Sequence, residues 1–130
     1  MEKWLGKYSD FLYALMRFVA GALFACHGAQ KLFGVLGGQK QDAALMIAAG
    51  VIEFVGGILI AVGLLTSIVA FICSGQMAVA YFKSHAPGGL WPIMNRGELA
   101  VLFCFVFLYI ASRGAVMLGI DTLIGKAKRR

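Results

Sequence analysis

Four apolar stretches make up most of this chain, and each is long enough to cross the hydrocarbon core of a bilayer. A helical crossing takes about 20 residues, with a range of about 17–25. The stretches lie at about residues 11–33, 43–65, 66–82 and 97–118. A backbone in lipid must satisfy its own hydrogen bonds, which a helix does. The sequence therefore predicts an all-α fold, an integral membrane four-helix transmembrane bundle, with residues 1–130 as one domain.

Composition supports this class of protein. The 130 residues are 61% hydrophobic and only 14% charged. Soluble domains average about 45–50% apolar and about 25% charged residues. A water-soluble core of this length could not bury so much apolar surface, so the lipid bilayer is the expected solvent and partner.

The net charge of +6 does not indicate a nucleic-acid partner, because no basic stripe with interleaved aromatic residues is present. Basic residues beside membrane spans mark the cytoplasmic side. Six of them lie near the two termini and four in the opposite loops, so both termini are expected in the cytoplasm. The terminal set is Lys3, Lys7, Lys126, Lys128, Arg129 and Arg130, and the loop set is Lys31, Lys40, Lys83 and Arg96.

Several polar side chains interrupt the apolar stretches. A charge at the centre of a bilayer costs about 2.5–3.5 kcal/mol on insertion scales, so it persists only where it is paired or used. These side chains predict a polar pocket inside the bundle that handles protons or binds a ligand. The candidate residues are Arg17, His27, Gln30, Lys31, Glu53, Gln76, Asn95 and Glu98.

His27 and Lys31 lie one turn apart on one face of the first span. Arg17 falls within about 80° of both and about 15 Å further along the helix axis. We expect this basic stripe to face the interior of the bundle. Glu53, in the middle of the second span, is expected to pair with Arg17. The pair either fixes helix register or places a carboxylate in a ligand pocket.

Three further polar residues have a structural alternative. Asn95 and Glu98 fit a capping box, with Asn95 as N-cap. Alternatively, Glu98 lies at the mouth of the pocket. Gln76 either joins helices by hydrogen bonding or lines the pocket. Asp42 is expected to cap the second span.

Two patterns predict how the spans connect and pack. Small residues spaced four apart allow close helix contact at Gly21 and Ala25, at Ala44 and Ala48, and at Gly57 and Ala61. Residues 83–95 contain Pro87, Gly88, Gly89 and Pro92, which predict an irregular segment that covers one end of the bundle.

No metal site is predicted. Cys26, Cys73 and Cys104 lie in different stretches without a C-x-x-C motif, which is typical of small buried hydrophobic residues. His27 and His85 fall on the same predicted side, but two histidines, one of them in a loop, are a weak signal for haem.

Three sequence blocks resemble the DoxX family. They are RFVAG and HGAQKLFG at 17–21 and 27–34, EFVGG and GLLT at 53–57 and 63–66, and WPIMNRGELA at 91–100. The resemblance implies a small four-span protein of the bacterial inner membrane. The family's relatives include a small subunit of archaeal thiosulfate:quinone oxidoreductase and, more distantly, eukaryotic cargo receptors. The chain departs from the family pattern before Asp121, so no family role is carried over to that residue.

Two functions follow as hypotheses. In the first, the chain is a redox-linked subunit whose pocket binds a quinone, with His27, Lys31 and Glu98 near the quinone oxygens and Arg17 and Glu53 moving protons. It would then need a redox partner subunit to supply electrons. In the second, it is a non-enzymatic transporter, or a membrane assembly or binding factor, for a small molecule. Whether the chain is an enzyme, and whether it forms a homo-oligomer, both stay open.

Overall fold

The computed structural model describes residues 1–128, which are helical without a strand. Arg129 and Arg130, which belong to the predicted basic C-terminal cluster, lie outside the described residues. The α-helices are α1 (Glu2–Leu5), α2 (Ser9–Phe33), α3 (Ala44–Val62), α4 (Thr66–Ala80), α5 (Pro92–Asn95), α6 (Glu98–Arg113) and α7 (Ile120–Lys128). Shorter helical turns lie at Gly6–Tyr8, Tyr81–His85 and Ala86–Gly88.

Left-handed glycines set the ends of the first two long helices. Gly34 ends α2 at φ 65° and Gly63 ends α3 at φ 71°, a conformation that glycine adopts without a steric penalty. The predicted N-cap at Asp42 is wrong. The residue before α3 is Ala43, and no side chain among residues 1–128 caps that helix.

Within residues 1–128, two helical runs are long and apolar enough to cross a membrane, Glu2–Phe33 and Ala44–Val62. Large apolar side chains also cover much of the outer surface. Ile68, Phe71 and Phe105 are each about two-thirds exposed, at 66%, 65% and 65%. Soluble monomers rarely expose apolar surface on this scale, so the exterior suits contact with lipid.

Helices α2 and α3 are antiparallel and approach closely along a seam of small residues. Gly21 faces the backbone of Gly57 and Ala61, where a Cβ atom on Gly21 would lie 2.6 Å from the Ala61 nitrogen. Gly57 faces Ala25 and Gly21 in return. The close contact predicted for the Gly21 and Gly57 pairs is therefore confirmed. Ala44 and Ala48 are exposed and do not belong to this seam.

Helices α4 and α6 form a second antiparallel pair, and α3 also contacts α4. The Ser74 hydroxyl donates to the Cys104 carbonyl oxygen at 2.7 Å and joins α4 to α6. The buried rings of Phe103 and Phe107 on α6 stack on each other, and the Phe24 ring of α2 packs against both at an angle. Together these contacts place the apolar core between α2, α4 and α6.

The last long helix is shorter than its apolar stretch. Helix α6 ends at Arg113, because Gly114 turns the chain with φ 73° and ψ −157°. Val116 and Leu118 then take positive φ angles of 65° and 51°, which are rare for residues with bulky side chains. The segment between α6 and α7 therefore turns back over the end of α3, where it receives hydrogen bonds from Arg17.

Candidate functional site

A cavity of about 430 Å³ opens between the helices at the end of the molecule opposite the termini. This volume lies within the range of about 300–1,000 Å³ that small-molecule sites occupy. Its wall is mostly apolar, with Phe24, Met77, Ala100 and Phe103 among the lining residues. The polar side chains at the wall are His27, Lys31, Glu53, Gln76, Lys83, Ser84, His85 and Arg96.

An ion pair joins α2 to α3 at the wall of this cavity. The Lys31 ammonium lies 2.6 Å from Oε1 and 2.5 Å from Oε2 of Glu53. Glu53 is 2% exposed and Lys31 is 24% exposed, so the carboxylate is buried while the ammonium reaches the cavity surface. The pair neutralises the buried carboxylate at the place where a ligand would meet it.

Gln76 extends this pair to α4. Its Nε2 donates a hydrogen bond of 3.0 Å to Glu53 Oε1. Because a carboxylate oxygen can only accept, this bond fixes which end of the amide is nitrogen. The amide oxygen Oε1 is buried and has no hydrogen-bond partner within the described residues. Gln76 therefore joins α3 to α4, lines the cavity, and carries a buried acceptor that residues 1–128 leave unmatched.

His27 lies one turn before Lys31 and also lines the cavity. Its ring sits edge-on to Phe103 with 6.1 Å between ring centres. Residues 1–128 supply no hydrogen bond to its imidazole, so both ring nitrogens are free to meet a ligand or water. The predicted shared face of His27 and Lys31 is present at the cavity.

The segment that follows α4 supplies residues that the sequence analysis did not assign to the pocket. Residues Tyr81–His85 form a π-helical turn, which is a frequent feature of functional sites. This turn and the following loop bring Lys83, Ser84, His85 and Arg96 to the cavity. Only their position beside Pro- and Gly-rich sequence could have identified them, since nothing in their spacing matches a ligand motif.

Asn95 organises this loop but does not line the cavity. Its Nδ2 donates to the Gly89 carbonyl oxygen at 2.6 Å and to the Tyr81 hydroxyl at 3.2 Å, and the Tyr81 hydroxyl donates to Leu90. Its Oδ1 accepts from the Gly97 nitrogen at 2.8 Å. Asn95 thereby closes the loop that carries His85.

The predicted capping box at Asn95 and Glu98 is wrong. Gly97 precedes α6, no side chain in the described part of the chain caps that helix, and Arg96 takes a positive φ of 60° between Asn95 and the helix. The Asn95 side chain turns to the loop instead. Glu98 is exposed and is not among the cavity-lining residues.

Arg17 does not pair with Glu53, which corrects the predicted ion pair. Helix register places Gly28 beside Phe54 but Gly21 beside Ala61, so Arg17 lies level with the end of α3. Its guanidinium is 1% exposed. It donates to four carbonyl oxygens at 2.7–3.1 Å, those of Ile60, Ala61, Met117 and Leu118.

Arg17 is therefore a structural residue at the far end of the helices. Ile60 and Ala61 are in the last turn of α3, where carbonyl groups lack helical partners and a cation is favourable. Gln30 is also absent from the cavity wall. Its Nε2 donates to the Leu36 carbonyl oxygen at 3.0 Å and holds the connection after α2.

Asp121 is a charged residue to which no role was assigned from the sequence. Its carboxylate accepts 2.9 Å bonds from the Leu65 and Thr66 nitrogens and a 2.7 Å bond from the Thr66 hydroxyl. Partial burial raises the pKa of Asp121, but the bonds from Thr66 and Leu65, with the nearby Arg17 charge, outweigh that effect and hold the pKa below its usual value. Asp121 thus caps the start of α4 from a distant part of the chain.

In residues 1–128, no group of three or more His, Cys, Asp or Glu side chains is placed to hold a metal ion. The three cysteines are free thiols, in three different helices. What the described residues do assemble is an apolar cavity with a buried ion pair, two imidazoles and a basic rim.

The sequence that forms this fold and cavity resembles known proteins. The sequence model of the DoxX family matches residues 12–86. The chain belongs to the DoxX family and is a membrane-associated, all-helical protein. The matched region holds both residues of the ion pair, Gln76 and both imidazoles.

Two relatives align along nearly the whole chain. An "Uncharacterized protein" of Haemophilus influenzae is 39% identical over 125 residues, which cover 90% of this chain and 93% of the relative. A protein of Bacillus subtilis, described as "Putative oxidoreductase CatD", is 30% identical over 125 residues and 88% of each chain. No solved structure matches the chain.

Proposed function

We propose that this protein binds a quinone, or a similar small ring with polar oxygens, in the cavity between its helices. One observation carries the proposal: a buried Glu53–Lys31 pair stands at the wall of a cavity that is otherwise largely apolar. Ligand sites for such molecules combine an apolar enclosure with a few convergent polar groups. The ring would lie against Phe24 and Phe103, and its oxygens would meet His27 and the ion pair.

The proposal includes a four-helix transmembrane bundle in the bacterial inner membrane. Helices α2 and α3 have the length to span. Helix α4 continues through the π-helical turn, and the two elements together extend from Thr66 to His85, about 30 Å. Helix α6 adds 16 residues, and the bias of basic residues towards the two ends of the chain favours cytoplasmic termini.

A quinone becomes a quinol by taking two electrons and two protons. The groups suited to hold and pass protons here are His27 and Glu53, since both reach the cavity and can exchange a proton with a ligand oxygen. The three cysteines lie in separate helices and are not paired for electron transfer. We therefore assign the two electrons to an oxidoreductase partner subunit, with this chain as the ligand-binding membrane subunit. The description of the Bacillus subtilis relative as a putative oxidoreductase supports a link to oxidoreductase chemistry.

A second candidate is a carrier for an anionic amphipathic molecule. It is favoured by the charges at the cavity, where Lys31, Lys83 and Arg96 outnumber the single carboxylate of Glu53. An anionic headgroup would then lie at the basic rim and its chain along the apolar wall.

The ligand that copurifies with the protein separates these functions. The protein would be purified in native nanodiscs, extracted with organic solvent, and analysed by mass spectrometry beside Glu53→Gln, His27→Ala and the control Gln30→Ala. We expect a stoichiometric quinone in the unmodified protein and the control, and its loss from the two cavity variants while they stay folded. An anionic amphiphile that is lost with Lys83→Ala would support the second candidate. Equal quinone content in Glu53→Gln would overturn the role of the ion pair.

A further inference from the structure

The polar wall of the cavity leaves a specific kind of hydrogen-bonding group unmatched. Gln76 must direct Nε2 to the Glu53 carboxylate, 3.0 Å away, because the reverse orientation would oppose two acceptors. Its Oε1 is consequently a buried acceptor to which no group in residues 1–128 donates. Buried polar groups without partners are rare in native structures, and each one calls for a physical explanation. A ligand that donates a hydrogen bond would supply one.

His85 is a second residue with a hydrogen-bond acceptor available to a ligand. Its Nδ1 lies 3.2 Å from the Asn95 carbonyl oxygen, and a carbonyl oxygen can only accept. Nδ1 therefore carries the proton, and in the neutral imidazole Nε2 is left as an acceptor. Asn95 is held in turn by Tyr81 and Gly89, so the orientation of His85 is fixed by the loop. His85 lines the cavity together with Gln76.

The donors at the wall do not leave a comparable deficit. Lys83 and Arg96 are exposed at the rim, and the free His27 nitrogens are not among the buried unpartnered atoms of residues 1–128, so water can reach the donors of all three residues. Lys31 already directs its ammonium to both oxygens of Glu53. The acceptor of Gln76 is different, because it is buried from water. The unmet requirement of the site is thus for a hydrogen-bond donor.

From this pattern we propose that the cavity selects the reduced, hydroxyl-bearing form of an aromatic ring, a hydroquinone, over the corresponding dione. A hydroquinone hydroxyl donates a hydrogen bond to Gln76 Oε1, and His85 Nε2 is available to a second donor. The dione offers only acceptors and leaves Gln76 unmatched. This preference rests on the proposed quinone-binding function and specifies which redox form the site retains.

Three probes with one carbon skeleton test this selectivity. They are a short-chain 2-alkyl-1,4-benzoquinone, its hydroquinone, and the redox-inert dimethyl ether of that hydroquinone. Binding to the full chain in nanodiscs would be measured by titration calorimetry under anaerobic conditions. We expect the hydroquinone to bind about tenfold more tightly than either the dione or the dimethyl ether, since only the hydroquinone can donate.

Two matched variants locate the effect. Gln76→Met keeps side-chain length but removes the acceptor, so the hydroquinone-to-dione affinity ratio should fall from about ten towards one. The ratio is the appropriate readout, because loss of the Gln76–Glu53 bond affects the binding of both forms. Gln30→Met makes the same substitution outside the cavity and should keep the ratio of the unmodified protein.

Each result has a definite meaning. Equal binding of hydroquinone and dione, or tighter binding of the dione, would overturn the selectivity and leave the quinone site standing. No binding of any of the three probes would overturn the proposed function and the selectivity with it. If Gln76→Met does not fold, the dimethyl ether decides alone: equal binding of ether and hydroquinone by the unmodified protein contradicts the role of a donor.

Discussion

Lys31 and Glu53 hold each other across two helices, with the ammonium 2.5 Å and 2.6 Å from the two carboxylate oxygens. The two residues differ in their access to solvent, because the carboxylate is 2% exposed and the lysine is 24% exposed. Removing one partner of a buried pair leaves an uncompensated charge, whereas removing both does not. The asymmetry in exposure therefore determines which single substitution the fold tolerates.

Lys31→Met should destabilise the protein far more than Glu53→Gln. The methionine variant leaves a buried carboxylate without its cation, at a cost of about 3–5 kcal/mol. In Glu53→Gln the lysine can turn towards the cavity opening, so we expect a loss of about 1–2 kcal/mol. Thermal unfolding in mild detergent measures both. The double variant Lys31→Met with Glu53→Met should recover most of the loss, and failure to recover would contradict a pairwise origin.

Arg17→Lys should also destabilise the protein, although charge is retained. The guanidinium donates to four carbonyl oxygens in two segments, a geometry that an ammonium with three protons cannot reproduce. Loss of about two charge-assisted hydrogen bonds predicts a decrease of about 3 kcal/mol in the free energy of unfolding. Limited proteolysis should show earlier cleavage between residues 114 and 119.

Arg113→Lys is the matched control for this substitution. Arg113 pairs with Asp10 at 2.9 Å on an exposed surface, where solvent screens the pair, so this substitution should leave the stability nearly unchanged. An equal shift in melting temperature for the two variants would show that Arg17 does not hold the two segments together.

Relations that depend on local spacing along one helix were correctly predicted from the sequence. The four-residue step from His27 to Lys31 placed both at the cavity, and the small residues around Gly21 and Gly57 correctly indicated the seam of α2 and α3. Helical geometry alone determines such relations, so they do not require knowledge of the remaining chain.

Relations that depend on the register between distant segments were not correctly predicted. Pairing Arg17 with Glu53 assumed that both lie at similar depth, yet the seam shifts Arg17 to the end of α3. His85 and Arg96 reach the cavity through a π-helical turn and an irregular loop, whose paths no periodicity predicts. Asp121 caps α4 across 55 residues of sequence, a contact that exists only in the folded chain.

Asp121 should give the protein an acid-sensitive contribution to stability. Its hydrogen bonds from Leu65 and Thr66 hold its pKa below the ordinary aspartate value of about 3.9. A carboxyl with a lowered folded pKa stabilises the folded state above its unfolded pKa, and that stability is lost as pH falls through the lowered value.

Asp121→Asn keeps the shape of the side chain without its charge. Its melting temperature should therefore lie below that of the unmodified protein at pH 5–7, and the difference should shrink below about pH 4. A difference that stays constant down to pH 2 would rule out titration of this carboxylate.

Substitution of two helical glycines by alanine should have opposite effects. A Cβ atom at Gly21 would lie 2.6 Å from both the Ala61 nitrogen and the Gly57 carbonyl oxygen, so the α2 and α3 backbones must separate. Overpacking of this kind costs about 1–3 kcal/mol.

Gly75 lies within α4 with nothing within 4 Å of an added Cβ, so alanine there should be neutral or stabilise by about 0.5–1 kcal/mol through helix propensity. Melting temperatures of Gly21→Ala and Gly75→Ala in the same detergent compare the two sites. A Gly21→Ala protein as stable as the unmodified chain would show that the helices do not touch at this seam, and the register that separates Arg17 from Glu53 would fail with it.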